Sequence, residues 1–226
     1  MNTTNIINHP LHHKIAISNI SLYLNHQLRN ITNFKQNDVL PALFKIGNGA
    51  KVSFPSNCVV KLDNFVNTIV VFDKEINSGI WKFTTKGKSL KFQYGVGIID
   101  STQVDIPHPY DYQGSKNNNT ICSIASVPYI KGFPKYGSGS KGIKTDDISS
   151  VIVDMTSNPR TFCILINNEL EPFCVTSIPE RVKFVFLFSN KDSEWEFISL
   201  EQINMKIDLS KIEERKKYKY EQTAII

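Results

Sequence analysis

Apolar residues recur along this chain in two rhythms. Before residue 51, Leu24, Leu28 and Ile31 stand at helical spacing, although Ile15, Ile17, Ile20, Leu22 and Leu24 nearly alternate. This stretch is expected to form a helix over 15–34, then a helical turn over 38–44 that Asp38 would cap and Gly47-Asn48-Gly49 would stop. Beyond residue 51 the rhythm becomes that of strands. Short runs rich in Val, Ile, Thr and aromatics fall at 52–54, 58–62, 67–72, 79–83, 90–100, 121–127, 151–155, 161–166, 172–175, 182–188 and 195–200. Pro, Gly, Asn and Asp punctuate them. Strands at this spacing with no helix between them predict an all-β, two-sheet antiparallel β-sandwich.

The clearest segment is 151–179. Thr156-Ser157-Asn158-Pro159-Arg160 separates two apolar runs, and Asn167-Asn168-Glu169 makes the next turn. Pro fixes its own φ and drives the preceding residue out of the helical region, so the segment reads as a meander. Gly95 and Gly97 bracket Val96 inside a strand, where glycine weakens packing; the pair predicts close approach of another strand, or a bulge. Residues 206–220 carry Ile207, Leu209 and Ile212 among many charges and are expected to form a short solvated helix. The predicted organisation is therefore a tail and short helical flank over 1–50, a sandwich over 51–204, and a charged helix and tail over 205–226.

Composition narrows the function classes. At 226 residues the chain suits one domain with flanks, and a net charge of +5 is too small to argue nucleic-acid binding. No apolar run is long enough to span a membrane, and no basic-then-apolar leader opens the chain. Cys58, Cys122, Cys163 and Cys174 lie in or beside apolar runs without a CxxC pair, which predicts buried reduced thiols and a cytoplasmic setting. Asn is unusually frequent, as A/T-rich coding would make it, and the chance sequons at Asn2, Asn19, Asn30 and Asn118 follow from that.

Candidate chemistry is sparse. Gly137-Ser138-Gly139-Ser140-Lys141-Gly142 matches G-x-G-x-x-G but leads into a strand, whereas phosphate binding needs a helix N-terminus. His9, His12 and His13 lack accompanying Cys or carboxylate ligands. His108 is the one histidine within the sandwich region available to serve a nucleophilic cysteine. Glu194 and Glu196 share a strand face and could form a carboxylate pair, though outward solvated acids are the simpler reading. Asp146, Asp147 and Asp154 fall short of a calcium loop. No cofactor, metal or catalytic residue is expected.

The order of the strand motifs resembles the SPRY domain. Ser78-Gly79-Ile80-Trp81-Lys82-Phe83 is similar to its early Trp-bearing strand, and Tyr94-Gly95-Val96-Gly97-Ile98-Ile99-Asp100 to its Gly-x-Gly strand. Lys135-Tyr136-Gly137-Ser138-Gly139-Ser140 looks like its Tyr-Gly hairpin. The late strands are matched by residues 152–154, 161–168 and Ile178-Pro179. The likeness covers roughly residues 52–203. It lacks a clear version of the extension preceding SPRY in tripartite-motif ligases, and no RING, B-box or SOCS-box sequence occurs. The resemblance implies a concanavalin-like, jelly-roll sandwich that presents loops on one side to a protein or peptide partner, without catalysis. Tyr110 and Tyr112 in loop 101–119, Tyr129, Phe133 and Tyr136 in loop 128–147, and Arg160 are the expected partner-binding residues, because Tyr and Arg combine area with hydrogen bonding. Carbohydrate binding on a lectin-like sandwich is the alternative.

Overall fold

Period-two patterning is realised as two stacked sheets in the computed structural model, which describes residues 33–35, 44–114 and 119–221. The strands are β1 (Asn33–Lys35), β2 (Phe44–Ile46), β3 (Val52–Ser56), β4 (Val59–Leu62), β5 (Thr68–Phe72), β6 (Ile80–Ser89), β7 (Tyr94–Asp100) and β8 (Thr120–Ile124). They continue as β9 (Val127–Ile130), β10 (Phe133–Pro134), β11 (Ile148–Asp154), β12 (Thr161–Ile166), β13 (Glu169–Thr176), β14 (Val182–Phe188), β15 (Glu194–Ile203) and β16 (Lys217–Lys219). The first sheet runs β16-β13-β12-β11-β6-β15-β4-β3, and β1 pairs with the far half of β15. The second runs β10-β9-β8-β7-β14-β5-β2. All pairings are antiparallel except β13 with β16.

Alternation sends the largest side chains between the sheets. Phe83 of β6 stacks on Phe184 of β14 at 4.9 Å, and Phe72 of β5 on Phe197 of β15 at 5.4 Å. Trp195 lies flat on Phe186 at 5.6 Å. Each pair joins one sheet to the other, and all six rings are fully buried. Offset stacks of this kind add about 0.5–1.5 kcal/mol each to the burial of their area. The glycine pair in β7 admits its neighbour, as the sequence predicts: a Cβ on Gly97 would stand 2.0 Å from the Ile121 carbonyl oxygen, and one on Gly95 2.2 Å from that of Ser123.

Both outer faces are covered by the chain itself. Over the second sheet, Tyr110 and Tyr112 of loop 101–119 pack on Ile69, Val71, Ile99, Cys122 and Leu187. Over the first, Ile207, Leu209 and Ile212 pack on Ile80, Ile152, Cys163 and Cys174. This second cover corrects the expected C-terminal helix. Residues 206–220 instead form two 3-10 turns, Leu209–Lys211 and Glu214–Lys216, and then β16. Ile207 and Leu209 are two apart, a spacing that suits an extended segment laid on a sheet better than a helix face. Asp208 starts the first turn by accepting from Ser210 N at 2.9 Å, and the turn ends where Ile212, in extended conformation, donates its N–H to Leu209 O.

Other boundaries shift for related reasons. β6 runs through the expected turn at 86–89 because Lys86 is paired on both sides, with Ile148 and with Glu196, and its ammonium meets Asp146 at 2.9 Å. The turn moves to 90–93. β9 and β10 occupy part of what reads as loop 128–147. The expected helix over 15–34 and turn over 38–44 lie almost wholly outside the described residues; at their described ends, Asn33–Lys35 and Phe44 are strand, drawn in by pairing with β15 and β5.

Removing the ring at the centre of the stacks, Phe83→Ala, is expected to lower unfolding stability by about 3–5 kcal/mol in denaturant titration. A loss below about 1 kcal/mol would show that the stacks do not hold the sheets. A second expectation concerns Asp73, at the end of β5. Burial would raise its pKa, but ion pairs to Lys183 at 2.6 Å and Lys45 at 2.8 Å outweigh that and hold it below the usual range. Its contribution is therefore present above the unfolded carboxyl pKa of about 3.9 and disappears as pH falls through the lower folded value. Asp73→Asn is expected to reduce stability near neutrality by about 1 kcal/mol and to flatten the acid limb of the stability profile; an unchanged limb would refute it.

Candidate functional site

The residues expected to bind a partner separate by burial. Tyr110, Tyr112 and Tyr129 are interior, which corrects their reading as exposed loop aromatics. Tyr110 OH bonds Thr120 Oγ1 at 2.6 Å, and burial pushes its phenol far above the usual range. Tyr112 and Tyr129 meet edge to face at 5.4 Å. Tyr110 and Tyr112 are the material with which loop 101–119 seals the second sheet, to which Tyr129 of β9 belongs, over an apolar surface that would otherwise face water. Phe133 is half-buried in β10, and Arg160 is half-buried with its Nε donating to Ile178 O at 3.1 Å. Tyr136 remains 75% exposed.

The groups considered for calcium and for nucleophilic chemistry do not assemble. Asp146 and Asp147 precede β11 while Asp154 ends it, so the three aspartates stand at opposite ends of the sandwich. The Asp154 carboxylate is occupied by Thr156 and Ser157, accepting from both backbone amides and both hydroxyls. Those bonds outweigh burial and keep its pKa below the usual range. Among the described residues no three His, Cys, Asp or Glu converge as metal ligands. Burial pushes the Cys122 thiol up to about 12 and Cys174 to about 11, away from nucleophilic thiolates. His9, His12 and His13 lie outside the described residues.

What the structure does assemble is one end of the sandwich. Phe188 pairs with both Thr68 and Tyr94, and Glu194 pairs with both Lys61 and Ser89. Those registers bring three crossover loops to the same end: 63–67 joining β4 to β5, 90–93 joining β6 to β7, and 189–193 joining β14 to β15. The last is the bridge. Asp192 N donates to Leu62 O at 2.8 Å and Leu62 N to Ser193 O at 3.0 Å, while Ser189 Oγ donates to Gln93 O at 2.8 Å. On either side of that bridge stands an exposed phenylalanine, Phe65 at 72% and Phe92 at 83%. Phe92 also has φ +62°, a left-handed conformation that disfavours a bulky side chain by roughly 1–2 kcal/mol.

Sequence reasoning passed over both. Residues 90–93 read as the start of a long strand, and Phe65 sat unremarked inside Asp63-Asn64-Phe65-Val66-Asn67. The available signal was the second: an aromatic enclosed by turn-forming residues has no strand in which to bury itself.

The sandwich has a SPRY-like fold. Among solved structures, the chain is similar to the SPRY domain of human HERC1, with a TM-score of 0.52 and 11% identity over 74% of this chain and 98% of that one. The PSpry domain of TRIM65 gives a TM-score of 0.47 at 11% identity, over 78% of this chain and 98% of that one. The carbohydrate-binding module CBM66 from Bacillus subtilis gives 0.41 at 8%, over 69% and 92%. No protein-family model matches the sequence, and no curated protein matches it significantly.

If Phe92 is held in its left-handed turn without packing return, Phe92→Gly should leave the fold at least as stable, with a gain of up to about 1 kcal/mol in denaturant titration. A loss of more than about 1 kcal/mol would mean that the ring supports the fold.

Proposed function

We propose that this chain is a non-catalytic protein-interaction module that docks a protein or peptide partner on the crossover-loop end, with Phe65 and Phe92 as its anchors. The observation that carries the reading is the exposure of both rings on the two loops that flank loop 189–193, which is itself hydrogen-bonded to Leu62 at the end of β4 and to Gln93. An exposed ring gains nothing in folding, and a strained backbone persists only where its surroundings hold it. Aromatic anchors on a rigid platform lose little conformational freedom on binding, which is the quality of hot-spot residues. The SPRY-like fold supports the reading at the level of architecture. The four cysteines are not joined in disulfides, which accords with the cytoplasmic setting proposed with it.

Tyr136 is retained as a separate candidate contact, since it is the exposed member of the tyrosines expected from sequence. Phe133 and Arg160 offer at most partial surfaces.

Quantitative affinity enrichment from native lysate, with wild type, Phe65→Ala/Phe92→Ala and Tyr136→Ala as parallel baits, tests the assignment. The double variant is expected to retain the wild-type melting profile and to lose its enriched partners at least about tenfold. Identical partner lists for wild type and the double variant would overturn the surface; loss with Tyr136→Ala alone would move it to loop 128–147.

A further inference from the structure

The same end carries an uneven charge distribution that specifies the partner's chemistry. Lys88, Lys91 and Lys191 are exposed on or beside loops 90–93 and 189–193. Asp192 is the carboxylate set among them, and it is already bonded to Lys61 at 2.8 Å. Lys91 and Lys191 both act on Asp192 through space, so one carboxylate lies within the field of three ammonium groups. The other acids at this end are turned to different work: beside loop 90–93, where Leu90 N donates to Thr145 Oγ1 at 3.2 Å, Asp146 pairs with Lys86 at 2.9 Å and Asp147 accepts from Asn167 Nδ2 at 2.8 Å. Asp63 accepts from Ser53 Oγ at 2.8 Å on the β3 side, and Glu194 projects beside Lys61 from the strand register. The loop tips between Phe65 and Phe92 thus keep an excess of positive charge.

Resting on the docking end proposed above, we infer that the partner segment is acidic: an extended or helical protein segment with two apolar side chains for Phe65 and Phe92 and carboxylates between or beside them for Lys91 and Lys191. Two apolar anchors without charge would accept many surfaces. The lysines add discrimination and faster encounter, since an acidic segment is drawn in and a basic one repelled. Charge at an exposed rim acts mainly through rate and salt dependence, so binding should weaken as ionic strength rises.

The test is selection of a displayed random-peptide library on the full chain, followed by affinity measurement of selected peptides against wild type, Lys91→Glu/Lys191→Glu and Phe65→Ala/Phe92→Ala. All four substitutions are at exposed positions, and melting curves verify folding. The expected sequences are rich in Asp and Glu around a pair of apolar residues, bind about tenfold or more weakly to the charge-reversed variant, and lose binding to the double alanine variant. Neutral or basic selected sequences, or acidic ones indifferent to charge reversal, overturn the inferred chemistry while leaving the docking end in place. Acidic sequences that bind the double alanine variant unchanged overturn the docking end itself. Failure to select any sequence overturns both. Sedimentation with phosphatidylserine-containing vesicles runs alongside, and vesicle binding lost in the double alanine variant, in the absence of selected peptides, reassigns the end to a lipid surface.

Discussion

Three aromatic stacks between the sheets set the terms for the whole molecule. Phe83 on Phe184, Phe72 on Phe197 and Trp195 on Phe186 each take one ring from either sheet, so the sheets cannot slide without breaking all three at once. Interiors packed at this density have few discrete arrangements open to them. The stacks determine which residues of each strand face inward, and alternation then leaves a second apolar set outside: Ile69, Val71, Ile99 and Leu187 on one sheet, Ile152, Cys163 and Cys174 on the other. Covering those outer sets is what loop 101–119 and the C-terminal segment do. With both faces closed, the crossover loops at one end become the ground on which exposed aromatics stand.

This division explains why two kinds of aromatic residue have opposite fates. Tyr110 and Tyr112 are amphipathic, and a buried phenol needs a partner for its hydroxyl; Tyr110 finds Thr120. They suit a cover with one wet edge. Phe65 and Phe92 have no polar atom to offer water, yet both rings are left outside. Hydrophobic residues scattered on a surface are ordinary, but two on loops flanking the same crossover, one of them in a disfavoured backbone conformation, form a local conflict of the sort found at functional positions.

Much of the sandwich was legible in the residues, and its failures have physical causes. Turn chemistry at Asn158-Pro159 and Asn167-Asn168 placed β11, β12 and β13 closely, and the Gly95/Gly97 pair announced the approach of β8. Prediction went astray where a long-range partner decided the outcome. Lys86 to Ser89 look like a turn until β11 and β15 pair on either side of them. Residues 217–219 look like a helix end until the edge of β13 offers a parallel ladder. The site was read least well. Exposure of a tyrosine in a long polar loop cannot be judged from the loop, because it depends on whether an uncovered sheet face lies within reach, and that face is defined by strands distant in sequence.

The cover over β6, β11, β12 and β13 is made by residues 207–212, the strand at the edge by 217–219. Both follow every other element of the first sheet in the chain. During synthesis, when β15 has just emerged, those residues are still within the ribosomal exit tunnel. The nascent sandwich therefore passes through an interval with Ile80, Ile152, Cys163 and Cys174 bare on one face and the β13 edge unpaired. An apolar face beside an open strand edge is the combination that invites association between chains. Residues 207–219 thus shield, from the end of the chain order, both the apolar face and the strand edge that the earlier elements of the first sheet leave open.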